Sequence, residues 1–458
     1  MRGEAQVVLY AGLGAGHLAP MVELAKLFQR HGLATTVVIA ESPAKSAGTS
    51  AAVANPSINI HMLPLPTPEL PPSKDPIVQM FDLLRATNAP LRDYLRSVLA
   101  SVRVRALIVD MFCVDALDVA AELGVPAYLF YTCSASYLAV NLNFTHAQAK
   151  IDATGDMGGP LLSFPGNCLI RLTDLPDGTF DRNHGPFMEF LHLSERTPEF
   201  RGVLVNTFDW LEARALRVLK EGSCIPTTMP PVYPVGPMVA GCGGGDRKHE
   251  CLAWLDAQPE KSVVFLCFGS WGSFHKKQLE EIAMGLERSG QRLLWVVSSP
   301  RGAAEAELQD LLPEGFLEKT DGRGFVVKSW APQPEVLQHR ATGAFVTHCG
   351  WSSTLEGVVA GLPLICWPLY AEQRLNKMFI VEELRAGMEM AGYDGELVPA
   401  AEVESKVRLV MESEGGQALR ERAMEAKEKA TRATQQGGAS GVAFAEFLAH
   451  LESVVRGH

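Results

Sequence analysis

Ten short runs of apolar residues constrain the fold of this chain more than any other feature. VVLYAGL, ATTVVIA, RALIVD, AYLFY and GVLVNTF lie in the first half, and SVVFLCFG, RLLWVV, GFVVKSW, GAFVTHC and PLICW in the second. Each is continuous rather than alternating, as a strand covered on both faces requires, and stretches of helical spacing separate them. Strands that alternate with helices run parallel and join through crossovers, so each half reads as a doubly wound α/β domain.

Between the halves lies IPTTMPPVYPVGPMVAGCGGGDRKHE, roughly residues 225 to 250, where prolines give way to a glycine cluster suited to a linker. The expected division is residues 1–238 as a first domain, 239–250 as the linker and 251–458 as a second domain, with the last helix left free to pack back on the first. The Pro-rich piece LPLPTPELPPSKDP (63–76) reads as a structured loop rather than a ligand for a proline-binding domain, because the helix-like PIVQMFDLLRATN follows directly.

Composition narrows the partners. At 47% apolar and 20% charged residues the chain is a soluble globular type, and its net charge of −11 argues against nucleic acid or an anionic membrane as the main partner. Any phosphate it binds must be met by local donors. Nine scattered cysteines form no C-x-x-C pair, which fits reduced, buried thiols in a cytosolic protein better than a disulfide frame or zinc site. No apolar run is long enough to span a bilayer and no typical signal-peptide cleavage region is present, so a cytoplasmic location is the expectation; the chain is also expected to be a monomer.

Chemistry in a parallel sheet collects at the C-terminal ends of its strands. After VVLYAG comes the turn LGAG and then His17, read as the start of a helix with Pro20 in its first turn. The positive end of that helix disfavours an imidazolium and leaves a ring able to accept a proton. Gly12-Leu13-Gly14 also begins a G-x-G-x-x-G dinucleotide fingerprint, with Glu41 as a conceivable ribose-binding acid, but His17 occupies the third glycine position and breaks the close packing that motif needs. Taken alone, His17 is equally a base or a structural cap. Asp110 ends ALIVD on the same sheet edge, where a carboxylate can hold one imidazole nitrogen while the other faces a substrate; spacing alone favours a capping acid. Thr132, near the end of the next run, reads no less well as a threonine satisfying its own turn.

In the second half, the strand Ala344 to Thr347 runs into His348-Cys349-Gly350-Trp351-Ser352-Ser353 and then a helix. Strand, small polar turn and helix N-terminus form an anion site. Phe268-Gly269-Ser270-Trp271-Gly272-Ser273 similarly ends a strand with small residues that admit a phosphate. Trp330 follows GFVVKSW, a position that is usually core packing.

The order W-A-P-Q, H-C-G-W-x-S, E, G-x-P, W-P, E-Q from Trp330 to Gln373 resembles the signature box of plant family 1 UDP-sugar glycosyltransferases over its full length. That resemblance implies the GT-B fold, two Rossmann-like domains facing a central cleft, and residue roles that spacing could not assign. His17 becomes the base and Asp110 its partner. Thr132 is implied to touch a sugar hydroxyl and Ser270 a phosphate. Trp330, with Ala331 beside it, is implied to stack on uracil, and Gln333 to meet uracil or ribose. His348, Ser352 and Ser353 are implied to line the diphosphate, Trp351 to belong to the donor site, Glu356 to take the ribose hydroxyls, and Glu372 and Gln373 to take the sugar. Most members have Asn where this chain has Ser352, and the shorter hydroxyl reaches less far. Gln373 at the last position, and Trp351 where some glucuronic-acid users have Arg, point to UDP-glucose.

The implied reaction is inverting transfer to a small phenolic acceptor such as a flavonoid or phenylpropanoid, with Phe81, Phe112, Phe187 and Phe190 near the acceptor. No D-x-D triplet occurs, so no metal and no tightly bound cofactor are expected; UDP-glucose is a donor substrate. The rivals are C-glycosylation of a similar phenolic, a nucleotide-sugar-binding protein without catalysis, and an NAD-dependent oxidoreductase. Intact His17 and Asp110 speak against the second, and His17 at the third glycine position against the last.

Overall fold

The continuous apolar runs form buried parallel strands. The computed structural model describes residues 5–40, 57–65, 73, 75–154, 161–176, 181–225, 227–241, 249–300 and 306–456. Glu41, residues 66–72 of the Pro-rich stretch, and residues 242–248 of the linker, Cys242 included, lie outside the described residues. The chain divides into two compact units, Met1–Met238 together with Arg432–His458, and Val239–Thr431.

The first unit holds strands β1 (Ala5–Tyr10), β2 (Ala34–Ala40), β3 (Asn59–Leu63), β4 (Arg103–Asp110) and β5 (Ala127–Tyr131), a hairpin of β6 (Leu161–Ser163) and β7 (Leu169–Arg171), then β8 (Val203–Val205) and β9 (Val232–Pro234). All but the hairpin join one parallel sheet in the order β3-β2-β1-β4-β5-β8-β9. The winding reverses between β1 and β4, the point at which such a sheet opens a crevice at its carboxyl edge. Register brings Tyr10 opposite Val109 and Asp110 opposite Phe130, so the residues just past β1, β4 and β5 share that edge.

Helix α1 (Ala15–Arg30) begins two residues earlier than the sequence suggests. Gly14, at φ 87°, turns the chain sharply enough that Ala15 is already helical, which puts His17 third in the helix and Pro20 in its second turn. Helix α2 (Pro76–Ala86) starts where the Pro-rich stretch ends: Asp75 accepts from the N–H groups of Ile77 (2.8 Å) and Val78, and Pro76 takes the first helical position. Three further helices matter below, α3 (Ala116–Glu122), α4 (Ala135–Leu142) and α5 (Gly185–Arg196).

The second unit repeats the winding with β10 (Val263–Cys267), β11 (Arg292–Val297), β12 (Gly324–Lys328), β13 (Thr342–Thr347), β14 (Leu364–Cys366) and β15 (Gly387–Glu389), all parallel in the order β12-β11-β10-β13-β14-β15. Its reversal lies between β10 and β13, where Cys267 stands opposite Thr347. Helices α6 (Gln333–Gln338), α7 (Trp351–Ala360) and α8 (Gln373–Met378) follow β12, β13 and β14.

The last helix, α9 (Ala439–Arg456), belongs to the first unit. Its Phe444, Phe447 and Leu451 are fully buried, with Phe447 edge-on to Tyr128 (5.0 Å) and Tyr233 (5.4 Å) and Phe444 edge-on to Phe28 (5.1 Å). Burying such a side chain contributes about 1.5–3 kcal/mol, enough to fix this amphipathic segment to the sheet. Ser440 Oγ also donates to the carbonyl of Gly236 (2.5 Å). No described helix is long and apolar enough to cross a membrane. The eight described cysteines are free thiols, all buried except Cys168.

Candidate functional site

At the edge of the first sheet, Nδ1 of His17 lies 2.9 Å from Oδ2 of Asp110, although 93 residues separate them. Asp110 is fully buried; the His17 side chain keeps 17% of its surface exposed. The other carboxylate oxygen, Oδ1, accepts the N–H of Phe112 at 3.0 Å, which fixes the carboxylate's plane. An anionic acceptor at Nδ1 holds the ring proton there and leaves the basic lone pair on Nε2. Thr132 joins the pair, its Oγ1 3.0 Å from His17 Nδ1 and 3.4 Å from Asp110 Oδ2.

Two of the four phenylalanines expected at the acceptor continue from this pair. The Phe112 ring stands 4.6 Å from the imidazole, and Phe81 packs edge-on against Phe112 at 5.4 Å. Phe187, on α5, lies against Phe144 (5.3 Å), and Phe190 is buried on the same helix. Helix α5 is held to α2 and α3 by Arg85, which pairs with Glu189 and with Asp115 (3.0 Å), and by His192, 2.6 Å from the other Asp115 oxygen.

In the second unit the residues around β10 and β13 converge on His348. Its imidazole sits so close to the backbone that a Cβ added at either Gly269 or Gly350 would come within 2.6 Å of Nε2. Burial pushes this histidine down to about 4, so it is neutral at ordinary pH. Its Nδ1 is buried with no hydrogen-bond partner among the described residues. The following turn is bent by Cys349 at φ 66°, whose N–H bonds Thr347 Oγ1 at 3.1 Å and whose carbonyl accepts from Asn376 Nδ2 at 2.9 Å. That turn aims the first N–H groups of α7 at the same place.

From α6, Gln333 Nε2 donates to two residues of α7, Ser353 Oγ (2.9 Å) and Glu356 Oε2 (2.6 Å). Burial, with a smaller push from Glu335, raises the Glu356 carboxyl to about 7 against the stabilising bond from Gln333. Trp330 is half-buried beyond the left-handed Ser329 (φ 67°) and meets His249 edge-on at 5.9 Å. Ser270 is exposed and Ser352 half-buried. Gln373 turns Oε1 to the N–H groups of Leu369 (2.8 Å) and Tyr370 (3.0 Å), so what it can offer a ligand is its NH₂ group. Glu372, half-buried, lies 3.3 Å from Asn376 Nδ2. The Trp351 ring is buried against Phe379 (5.8 Å), and Ala331 is buried as well.

This geometry has known counterparts. Residues 222–414 match the family model "UDP-glucoronosyl and UDP-glucosyl transferase". The chain is 40% identical over 474 residues to an anthocyanidin 5,3-O-glucosyltransferase from a Rosa hybrid cultivar, covering 98% of this chain and 99% of that one. The chain belongs to the UDP-glycosyltransferase family. Solved structures of the same kind include Phytolacca americana UGT2 complexed with UDP-2fluoro-glucose and pterostilbene (TM-score 0.87, 34% identical, 98% and 100% covered). A Polygonum tinctorium UDP-glucosyltransferase capable of glucosylating indoxyl, in complex with 3,4-dichloroaniline, has a TM-score of 0.88 and 36% identity over 99% of both chains. These neighbours carry the GT-B fold, and the two Rossmann-like sheets described above are this glycosyltransferase's version of it.

Several residues of the glycosyltransferase escape a reading of strand ends. Gly12 looks like the start of a nucleotide loop, yet an added Cβ there would stand 2.9 Å from the Asp110 carboxyl carbon. Asn376, fully buried, braces the Cys349 carbonyl; its only sequence signal is a polar residue one turn into the helix after Gln373. Tyr370 stands between Trp271 (6.5 Å) and His348 (6.3 Å), and Glu212 is a buried carboxylate that accepts the N–H groups of Ala135 (2.9 Å) and Ser136 (2.8 Å) at the start of α4. Neither stands out in sequence, because both act through chain segments far from their own.

Proposed function

We propose that this UDP-glycosyltransferase transfers glucose from UDP-glucose to a hydroxyl of a small phenolic acceptor with inversion at the anomeric carbon. The observation that carries the reading is the His17–Asp110 contact of 2.9 Å beside an aromatic wall of Phe112 and Phe81. His17 Nε2 takes the proton of the acceptor hydroxyl as its oxygen attacks C1 of the sugar. The C1–O bond to the diphosphate breaks, UDP leaves with the electron pair, and the β-glucoside forms. Asp110 stabilises the imidazolium that results. The anthocyanidin and pterostilbene in the relatives' names support a flat phenolic acceptor here.

On the donor side, Trp330 takes the uracil on its face, and base stacking of this kind is worth on the order of 1–3 kcal/mol. Gln333 and Glu356 receive the ribose. A buried histidine whose Nδ1 lacks a partner, next to the first turn of α7, suits a diphosphate oxygen, with Ser270, Ser352 and Ser353 as further donors. Glu372 and the NH₂ group of Gln373 meet the glucose hydroxyls. The test is incubation of the full chain with UDP-glucose and a panel of phenolics, reading product mass and linkage. A β-O-glucoside is the expected product. UDP release with no glycoside from any phenolic, or a carbon-linked product, would overturn this reading.

A further inference from the structure

We propose that Thr132 is a positioning residue for the base, a third member of the His17–Asp110 pair. The proposal rests on the reading of His17 as the base. Three side-chain atoms form a closed group: Nδ1 to Oδ2 is 2.9 Å, Nδ1 to Oγ1 is 3.0 Å, and Oγ1 to Oδ2 is 3.4 Å. Nδ1 carries one proton and faces two oxygens. The carboxylate accepts it and the Thr132 oxygen shares it, while the Thr132 proton goes to Oδ2, the one of these partners able to accept it. Were the hydroxyl to donate to Nδ1 instead, the ring proton would move to Nε2 and the base would be lost. Asp110 therefore sets the tautomer, and Thr132, approaching Nδ1 as a second acceptor, limits rotation of the ring about that bond. When Nε2 takes the acceptor's proton, the same two oxygens share the charge of the imidazolium.

The chain around Thr132 is fixed for such a role. Phe130 pairs in register with Asp110, so Thr132 lies two residues beyond on the neighbouring strand's exit. Ser134 then caps α4 by accepting the N–H of Tyr137 at 3.1 Å, and Glu212 holds the next two N–H groups from below. The threonine is almost wholly buried, and from the end of β5 its hydroxyl reaches both Asp110 at the end of neighbouring β4 and His17 beyond β1.

The experiment compares Thr132→Val, Thr132→Ser, Asp110→Asn and the Asp110→Asn/Thr132→Val double variant in the full chain, with UDP-glucose and a phenol the wild type glucosylates. Thr132→Val should lower kcat about tenfold, the upper end of what one neutral hydrogen bond is worth, with both KM values and the Tm nearly unchanged. It should also move the acidic limb of the kcat–pH profile. Thr132→Ser, which keeps the hydroxyl, should stay within about threefold of wild type. In the Asp110→Asn background the valine should cost less than about twofold, because residues acting as one unit are not additive. A raised KM for UDP-glucose at unchanged kcat, or a full valine penalty in the Asp110→Asn background, would make Thr132 a sugar contact or an independent residue and overturn the proposal. His17→Ala with normal turnover would instead remove the base reading itself, whatever Thr132 does.

Discussion

The backbone of Gly12 and the carboxylate of Asp110 are packed with no room for a methyl group between them: an added Cβ would lie 2.9 Å from Asp110 Cγ and 3.4 Å from His17 Cγ. A glycine that resembles the opening of a dinucleotide loop thus serves the His–Asp pair. Gly12→Ala should displace the carboxylate, and a shift of about 1 Å at such a site costs roughly 100-fold in rate. Steady-state kinetics should show that loss in kcat, while UDP affinity, measured by calorimetry, stays within about twofold because the residues proposed to hold UDP belong to the other unit. Equal losses in kcat and UDP affinity would mean that the substitution damages more than the pair.

His17→Ala should abolish transfer to hydroxyls and leave UDP binding nearly intact. Asp110→Asn keeps the shape of the pair and removes the charge that fixes the Nδ1 proton, so it should cost roughly 10³–10⁴-fold in kcat, the scale seen when an orienting carboxylate becomes an amide in a serine protease. Turnover of Asp110→Asn within tenfold of wild type would show that the tautomer does not depend on the carboxylate.

Both sheets were legible from the ten apolar runs, because strands buried on two faces must be apolar throughout. His17, Asp110 and His348 were legible as positions, because strand ends in a doubly wound sheet collect chemistry. The strand ends left His17 and Asp110 as caps no less than as a base and its partner, and only the resemblance to a family chose between those. What sequence could not supply is the direction in which a side chain turns. Trp351 stands between His348 and Ser352 in the sequence, yet its ring packs on Phe379. Phe187 and Phe190 follow helical spacing that serves burial on α5, whereas Phe112 meets His17 because it follows Asp110 in a tight turn. Thr132 needed the pairing of β4 with β5 to be seen beside a histidine 115 residues away.

The carboxyl of Glu356 is pushed up to about 7, so the proposed contact with the ribose should make donor binding depend on pH. Ribose hydroxyls donate to an ionised carboxylate, so UDP-glucose, which has no group of its own titrating here, should bind more tightly as pH rises through 7 and release up to one proton. Calorimetry at pH 6.5 in buffers of different ionisation heat checks this, and Glu356→Gln should abolish the proton release. The free protein shows the opposite sign. The folded chain holds this proton up to about 7, whereas the unfolded chain gives it up near 4.3, so this group's contribution to stability falls as pH rises between those values. Glu356→Gln should therefore raise the Tm relative to wild type more at pH 8 than at pH 5. An unchanged difference between the two would show that Glu356 does not change its ionisation between pH 5 and pH 8.

The C-terminal helix ties the stability of the base-bearing unit to residues more than two hundred positions away. Phe447 is fully buried and touches Tyr128 on β5 and Tyr233 on β9, and His450 Nδ1 lies 2.7 Å from the Tyr233 hydroxyl. Removing the ring leaves a cavity that neighbouring strands cannot close without breaking the sheet's register. Phe447→Ala should thus destabilise the unit by about 3–5 kcal/mol. Tyr233→Phe removes only a half-buried hydrogen bond and should cost about 1 kcal/mol. Urea unfolding followed by the near-ultraviolet signal of the tyrosines measures both. A Phe447→Ala cost no larger than that of Tyr233→Phe would mean that α9 rests on the sheet through its edge contacts rather than through its aromatic face.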